Sequence, residues 1–160
     1  MDHINLAEKL VNLAKEKNLT ITTAESCTGG LISSAITSIS GSSSVFGYGY
    51  VTYANDAKKK LLGVKSETLD KFGAVSSETA KEMAMGAVNN SGADFGIAVT
   101  GIAGPSGGTF MKPVGLVFIA ISDRCNCFVE EYQFDGDRDS IRMKAACTAI
   151  ELCIEKFLGY

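Results

Sequence analysis

Residues 95–100 read Phe-Gly-Ile-Ala-Val-Thr, an apolar run with no polar alternation. Such a run marks a strand buried on both faces, which requires a sheet carrying helices above and below it. The rest of the chain supplies both. Leu6, Leu10, Leu13 and Ala14 recur at helical spacing. So do Leu31, Ile32, Ala35 and Ile36, then Met83, Ala84, Ala87 and Val88, and finally Ala146, Ile150, Cys153 and Ile154. Between these patterns lie β-prone stretches at 19–23, 45–53, 114–121 and 127–134, the last two joined by the turn Ser122-Asp123-Arg124. Asn55-Asp56 is expected to cap a short helix through Lys58 to Leu62, and Ser66-Glu67 and Ser76-Ser77-Glu78 look like helix starts. The predicted order is αβαβααβββα. Because helices interleave with strands and a hairpin follows, the expected fold is α/β, a mixed β-sheet covered by helices on both faces.

Composition narrows the function classes. The chain has 160 residues, 46% hydrophobic, enough for one domain over 1–160 with an unaided core. Fifteen Lys and Arg against 18 Asp and Glu leave a net charge of -3, with no basic stripe to neutralise phosphates in a row, so nucleic acid is not expected as a partner. No apolar stretch approaches the ~20 residues of a membrane span, and a soluble, cytoplasmic protein is expected. Five cysteines at irregular spacing suit reduced thiols rather than a disulfide framework. Cys125 and Cys127 are one residue apart, not the two of a zinc knuckle, so no metal site is expected. The single histidine, His3, lies at the start of the chain, so a general base must be another residue type.

The chain has 17 glycines, and their clusters lie where strands end, at 26–30 and 101–108. Open α/β sheets bind ligands just beyond their strand ends, where backbone N–H groups face outward. Neither cluster matches the G-x-G-x-x-G dinucleotide pattern or a phosphate loop ending in Gly-Lys-Ser/Thr. Ser26 follows a strand and precedes a helix, a position that suits either a nucleophile beside backbone donors or a helix cap. Ser42-Ser43-Ser44 is a second candidate nucleophile site or a plain loop. Lacking histidine, a base could be a lysine whose pKa is lowered by burial. Lys58, Lys59 and Lys60 point in different directions on one helical turn, and Lys58, five residues after Tyr53, is the one expected to turn inward.

Taken together, Thr23-Ala-Glu-Ser-Cys-Thr-Gly-Gly30, Gly41-Ser-Ser43, Val51-Thr-Tyr-Ala-Asn-Asp-Ala-Lys58, Gly73-Ala-Val-Ser76, Thr100-Gly-Ile-Ala-Gly-Pro105, Lys112-Pro-Val-Gly115 and Gly136-Asp-Arg138 strongly resemble the CinA C-terminal domain family over nearly the whole chain. The resemblance implies a nicotinamide-nucleotide amidase similar to serine-lysine amidohydrolases. Such an enzyme hydrolyses the carboxamide of nicotinamide mononucleotide to nicotinate mononucleotide and ammonia, with no metal and no cofactor. Some members carry an extra N-terminal domain, and the chain looks like the stand-alone form. By resemblance, Lys58 would be the base and Tyr53 would orient Lys58 or the amide. Ser43 is preferred over Ser26 as nucleophile, the other serving the oxyanion or the substrate. Arg138 would pair with the substrate phosphate, with Thr28, Gly29, Thr100, Gly101 and Gly104 completing the binding site. A homo-oligomer is expected from the apolar hairpin and last helix. The alternative class is a non-catalytic nucleotide-binding or regulatory module linked to competence or DNA damage.

Overall fold

The computed structural model describes residues 2–157. Its elements run α1 (His3–Glu16), β1 (Ile21–Glu25), α2 (Leu31–Thr37), a 3-10 turn (Ser42–Ser44), β2 (Phe46–Val51), α3 (Asn55–Leu62), α4 (Ser66–Phe72), α5 (Ser77–Ser91), β3 (Phe95–Gly101), β4 (Leu116–Ser122), β5 (Cys127–Gln133) and α6 (Arg138–Phe157). The mixed, helix-covered sheet is as expected. The predicted order is one helix short, because the start at Ser66 opens a separate helix, α4. Gly63 in the left-handed region ends α3 and turns the chain away before α4 begins.

The sheet order is β2-β1-β3-β4-β5, parallel for β2, β1 and β3 and antiparallel for the rest. The strands β2 and β3 flank β1 on opposite sides, reached through α2 on one face and through α3, α4 and α5 on the other. The carboxyl ends of these three strands therefore open into the crevice where such sheets place ligands.

Side-chain size divides the two faces. Along β3, Ile97 and Val99 join a core with Leu10, Ile32, Ile36 and Ile150 from α1, α2 and α6. The intervening Ala98, with Ala24 and Ala120 from its neighbours, faces Met83, Ala84 and Ala87 of α5. Small residues let α5 lie close, and α5 in turn fixes α3. A β-carbon on Gly86 would sit 1.8 Å from the carbonyl oxygen of Leu62, so α5 touches the last turn of α3 through a position that no larger residue fits. Overpacking of this kind costs about 1–3 kcal/mol or more, and here it would also displace the helix that carries Lys58.

Local signals explain most boundaries. Asn18, at φ 54, ends the turn after α1 as Asn tolerates. Ser76 caps α5 by accepting from the Thr79 N–H at 3.2 Å. The expected cap of α3 is not a side-chain one: Asn55 is its first residue and Ala54 precedes it.

Candidate active site

Ser26 directly follows β1, and two backbone bonds fix its position: its N–H donates to the Val99 carbonyl at 2.9 Å, and its carbonyl accepts from the Gly29 N–H at 3.0 Å. Thr52, just beyond β2, donates its N–H to the Glu25 carbonyl at 2.9 Å. Lys58 lies one turn into α3, and its helix aims the side chain back under Thr52 and Tyr53 toward Ser26. The exposed faces of that helix carry Lys59 and Lys60, and Lys60 pairs with Asp56 across one turn at 3.2 Å.

Lys58 is 1% exposed, the largest fully buried side chain among the described residues. Its Nζ meets three oxygens: the Thr52 carbonyl at 2.8 Å, Ser26 Oγ at 3.1 Å and the Tyr53 carbonyl at 3.3 Å. No carboxylate forms an ion pair with it among the described residues. Burial pushes its pKa below the ordinary lysine value, against a smaller opposing effect of the neighbouring Cys27. Valence then fixes the proton arrangement of the neutral form, the one in which the lysine can act as a base. A neutral amine has two N–H groups and one lone pair, and carbonyl oxygens can only accept. The two N–H groups go to Thr52 and Tyr53, which leaves the lone pair for the Ser26 hydroxyl proton. Once protonated, the same nitrogen donates to all three oxygens without moving.

The neighbouring thiol offers no competing nucleophile. Cys27 is buried, and desolvation pushes its pKa up to about 11, so it stays protonated at neutral pH. Ser26, Cys27, Tyr53, Lys58, Ala74, Val75, Thr100, Gly101, Ala103 and Arg138 line a cleft of about 200 Å³. A larger cleft of about 510 Å³ lies between α1, β5 and α6, lined by Leu6, Lys9, Tyr132 and Glu151 among others. It sets no hydroxyl beside a buried amine, so the smaller cleft is the candidate site.

The expected site residues divide. Ser26, Lys58, Tyr53, Thr100, Gly101 and Arg138 come together. Ser43 does not: it is exposed in the 3-10 turn before β2, at the opposite end of the sheet. The six residues of β2 separate it from Thr52 by roughly 20 Å at about 3.3 Å per residue, so its hydroxyl cannot reach Lys58. The preference for Ser43 over Ser26 is therefore corrected. Tyr53 holds Lys58 through its backbone carbonyl, while its exposed phenol accepts from Arg138 Nη2 at 3.1 Å. Thr28 is fully buried and gives its hydroxyl to Glu25 at 2.7 Å, which makes it a brace behind the site. Thr100 likewise donates to the Ala74 carbonyl at 2.8 Å. Gly29 faces Arg142, and Gly104 receives Arg138 Nη1 on its carbonyl at 2.7 Å. Gly104 has φ 76, and a β-carbon there would lie 2.5 Å from Val114 Cγ1, so glycine is required for this carbonyl to meet the arginine.

Sequence reasoning missed Glu25 and Arg142. Arg142 sits one turn beyond Arg138 on α6 and donates to the Cys27 and Thr28 carbonyls at 3.0 and 3.1 Å. The i, i+4 spacing of two arginines on an otherwise apolar-faced helix was the available signal.

The model of the CinA C-terminal domain matches residues 3–157. The chain is 52% identical over 147 residues to a CinA-like protein of Kosmotoga olearia, covering 92% of this chain and 36% of that protein. It is also 52% identical over 142 residues to a CinA-like protein of Geobacter sulfurreducens, covering 89% and 34%. It thus spans about a third of the length of these curated relatives. Among solved structures, the competence/damage inducible protein CihA from Agrobacterium tumefaciens superposes with a TM-score of 0.95 at 48% identity, covering 100% of this chain and 97% of that one. A CinA superfamily protein from Klebsiella pneumoniae gives 0.96 at 31% identity, with both chains fully covered. With the whole fold shared and the family match running over nearly the whole chain, the chain belongs to the CinA C-terminal domain family.

Proposed function

We propose that the protein is an amidase that hydrolyses the carboxamide of nicotinamide mononucleotide by a serine-lysine mechanism. The observation that carries this reading is the buried, counter-ion-free Lys58 Nζ at 3.1 Å from Ser26 Oγ. A module that only bound a nucleotide would have no use for a buried amine, its pKa lowered, beside a hydroxyl.

In the proposed reaction Lys58 takes the Ser26 proton as Oγ attacks the carboxamide carbon. The tetrahedral intermediate collapses by breaking the C–N bond, and the Lys58 ammonium gives its proton to the departing nitrogen, which leaves as ammonia. The resulting ester on Ser26 is then attacked by water. Lys58 accepts a proton from that water and returns one to Ser26 Oγ as the carboxylic acid departs. Each step moves one proton between Nζ and a neighbour, which suits an amine whose two carbonyl partners accept in both states.

The cleft volume supports a divided substrate. About 200 Å³ is less than the about 300–1,000 Å³ of pockets that enclose drug-sized ligands, so it takes the amide-bearing ring and leaves the ribose phosphate at the rim. Arg138 stands at that rim, exposed, with two of its five N–H donors spent on Gly104 and Tyr53. The remaining donors suit a phosphate. Ammonia release from nicotinamide mononucleotide by metal-free protein tests the reading. Wild-type release that Lys58→Arg abolishes is expected, and a wild type that releases no ammonia would overturn it.

A further inference from the structure

Glu25 is fully buried at the end of β1, with Val51 and Val99 as its strand neighbours. It makes none of the ion pairs found among the described residues. A carboxylate so placed is tolerated only if its oxygens are well supplied with donors. Four reach it. Oε1 accepts from Thr28 Oγ1 at 2.7 Å and the Ile32 N–H at 2.9 Å, and Oε2 accepts from the Ser33 N–H at 3.0 Å and Ser33 Oγ at 2.7 Å. Each oxygen holds one hydroxyl and one backbone N–H from the first turn of α2.

These four bonds close a ring around the loop that carries Ser26. The chain leaves Glu25, passes through Ser26 and Cys27, and returns at Thr28 to the side chain it left. From the outside Arg142 holds the carbonyls of Cys27 and Thr28. The loop is thus clamped by an acceptor within and a donor without, two opposite charges bound to backbone and hydroxyl groups. Glu25 is not among the three partners of Lys58 Nζ. On the Ser26–Lys58 reading, we infer that Glu25 is a positioning residue for the nucleophile, whose carboxylate holds the Ser26 hydroxyl at the lysine lone pair.

The chemistry demands a carboxylate. Hydroxyls can rotate to donate or accept, but the N–H groups of Ile32 and Ser33 are fixed by the helix, one on each oxygen. The amide of Glu25→Gln must place its NH₂ against one of them in either orientation. The side chain would then turn away and release Thr28, and the loop with it.

The test is steady-state hydrolysis of nicotinamide mononucleotide by the full chain and its Glu25→Gln and Ser33→Ala variants, with thermal unfolding, a pH profile and the rate of Ser26 labelling by a fluorophosphonate. For folded Glu25→Gln, kcat should fall about 10²-fold, the cost of a misplacement near 1 Å, with KM little changed. The midpoint of the pH profile should stay in place, because the burial and the two carbonyls of Thr52 and Tyr53 that hold Lys58 are untouched. Labelling of Ser26 should slow in parallel. Ser33→Ala, which removes one of four donors, should show a smaller loss of the same kind. A folded Glu25→Gln with wild-type kcat and labelling overturns the inference and leaves Glu25 a fold-holding residue. A shifted pH midpoint overturns it too, by placing the effect on Lys58. If Glu25→Gln does not fold, Ser33→Ala decides: a lower kcat at unchanged KM supports the role, and an unchanged kcat overturns it. A wild type that neither hydrolyses the mononucleotide nor is labelled at Ser26 instead overturns the reading of the site, and the role of Glu25 with it.

Discussion

Two loops in this molecule carry serines between a glycine and a strand, and they differ in what surrounds the hydroxyl. The loop after β1 places Ser26 in a buried corner beside an amine that has lost its water. In the turn before β2, Ser43 stands in solvent, and the adjacent Ser44 only closes a local bond to the Gly41 carbonyl at 2.9 Å. The sequences look alike, yet one lies at the carboxyl ends of three parallel strands and the other at the amino end of an edge strand. Strand direction, not composition, separates a candidate nucleophile from a turn.

That contrast is sharpest under mutation. Lys58→Arg and Ser26→Ala should each lower turnover by three orders of magnitude or more, since arginine cannot act as a base at neutral pH and alanine cannot form the ester. Ammonia release measured on folded variants checks this, and a Ser43→Ala defect larger than that of Ser26→Ala would reverse the assignment of the two loops.

Next in size is Arg138→Ala. A charged hydrogen bond to a phosphate remote from the amide stabilises ground and transition states alike. The substitution should therefore raise KM roughly 10-fold, in keeping with about 1.5–3 kcal/mol for such a bond, and change kcat less. Discrimination against the dephosphorylated riboside should shrink in parallel. Kinetics on both substrates test it, and an unchanged KM would remove Arg138 from the site.

A subtler expectation concerns pH. The base must be neutral to act, so kcat/KM should rise with pH as Lys58 loses its proton. Because burial depresses that pKa, the midpoint of the rise should fall below the ordinary 10.5 of lysine. A midpoint at or above that value would mean that Lys58 is solvated in the working enzyme. Smallest of all is Ser43→Ala, which should leave turnover within about twofold, since surface substitutions away from a site change little.

How far the chain could be read without coordinates follows the same contrast. The unbroken apolar run at 95–100 and the periodicities along the helices were local signals, and they pointed to the layered sheet correctly. The inward turn of Lys58 was also legible, from its distance after the aromatic strand and the divergent directions of three consecutive lysines. The choice between Ser26 and Ser43 was not, because it depends on which end of the sheet each loop occupies, and that is decided by parallel pairing between segments far apart in sequence. Thr28 misled for a related reason. A hydroxyl in a glycine-rich loop looks like a ligand contact until the buried partner that takes it, Glu25, is located.

The desiccated amine also binds the fold to the proton concentration of its surroundings. Unfolded, Lys58 would titrate at its ordinary 10.5, and folded it titrates lower. Between those two values the unfolded chain holds a proton that the native one has given up, so conformational stability rises as pH rises through that interval and levels off above it. Below the folded pKa both forms carry the proton, and the native state bears the full cost of an ammonium held away from water. At this one nitrogen, then, part of the folding free energy is held in reserve as basicity.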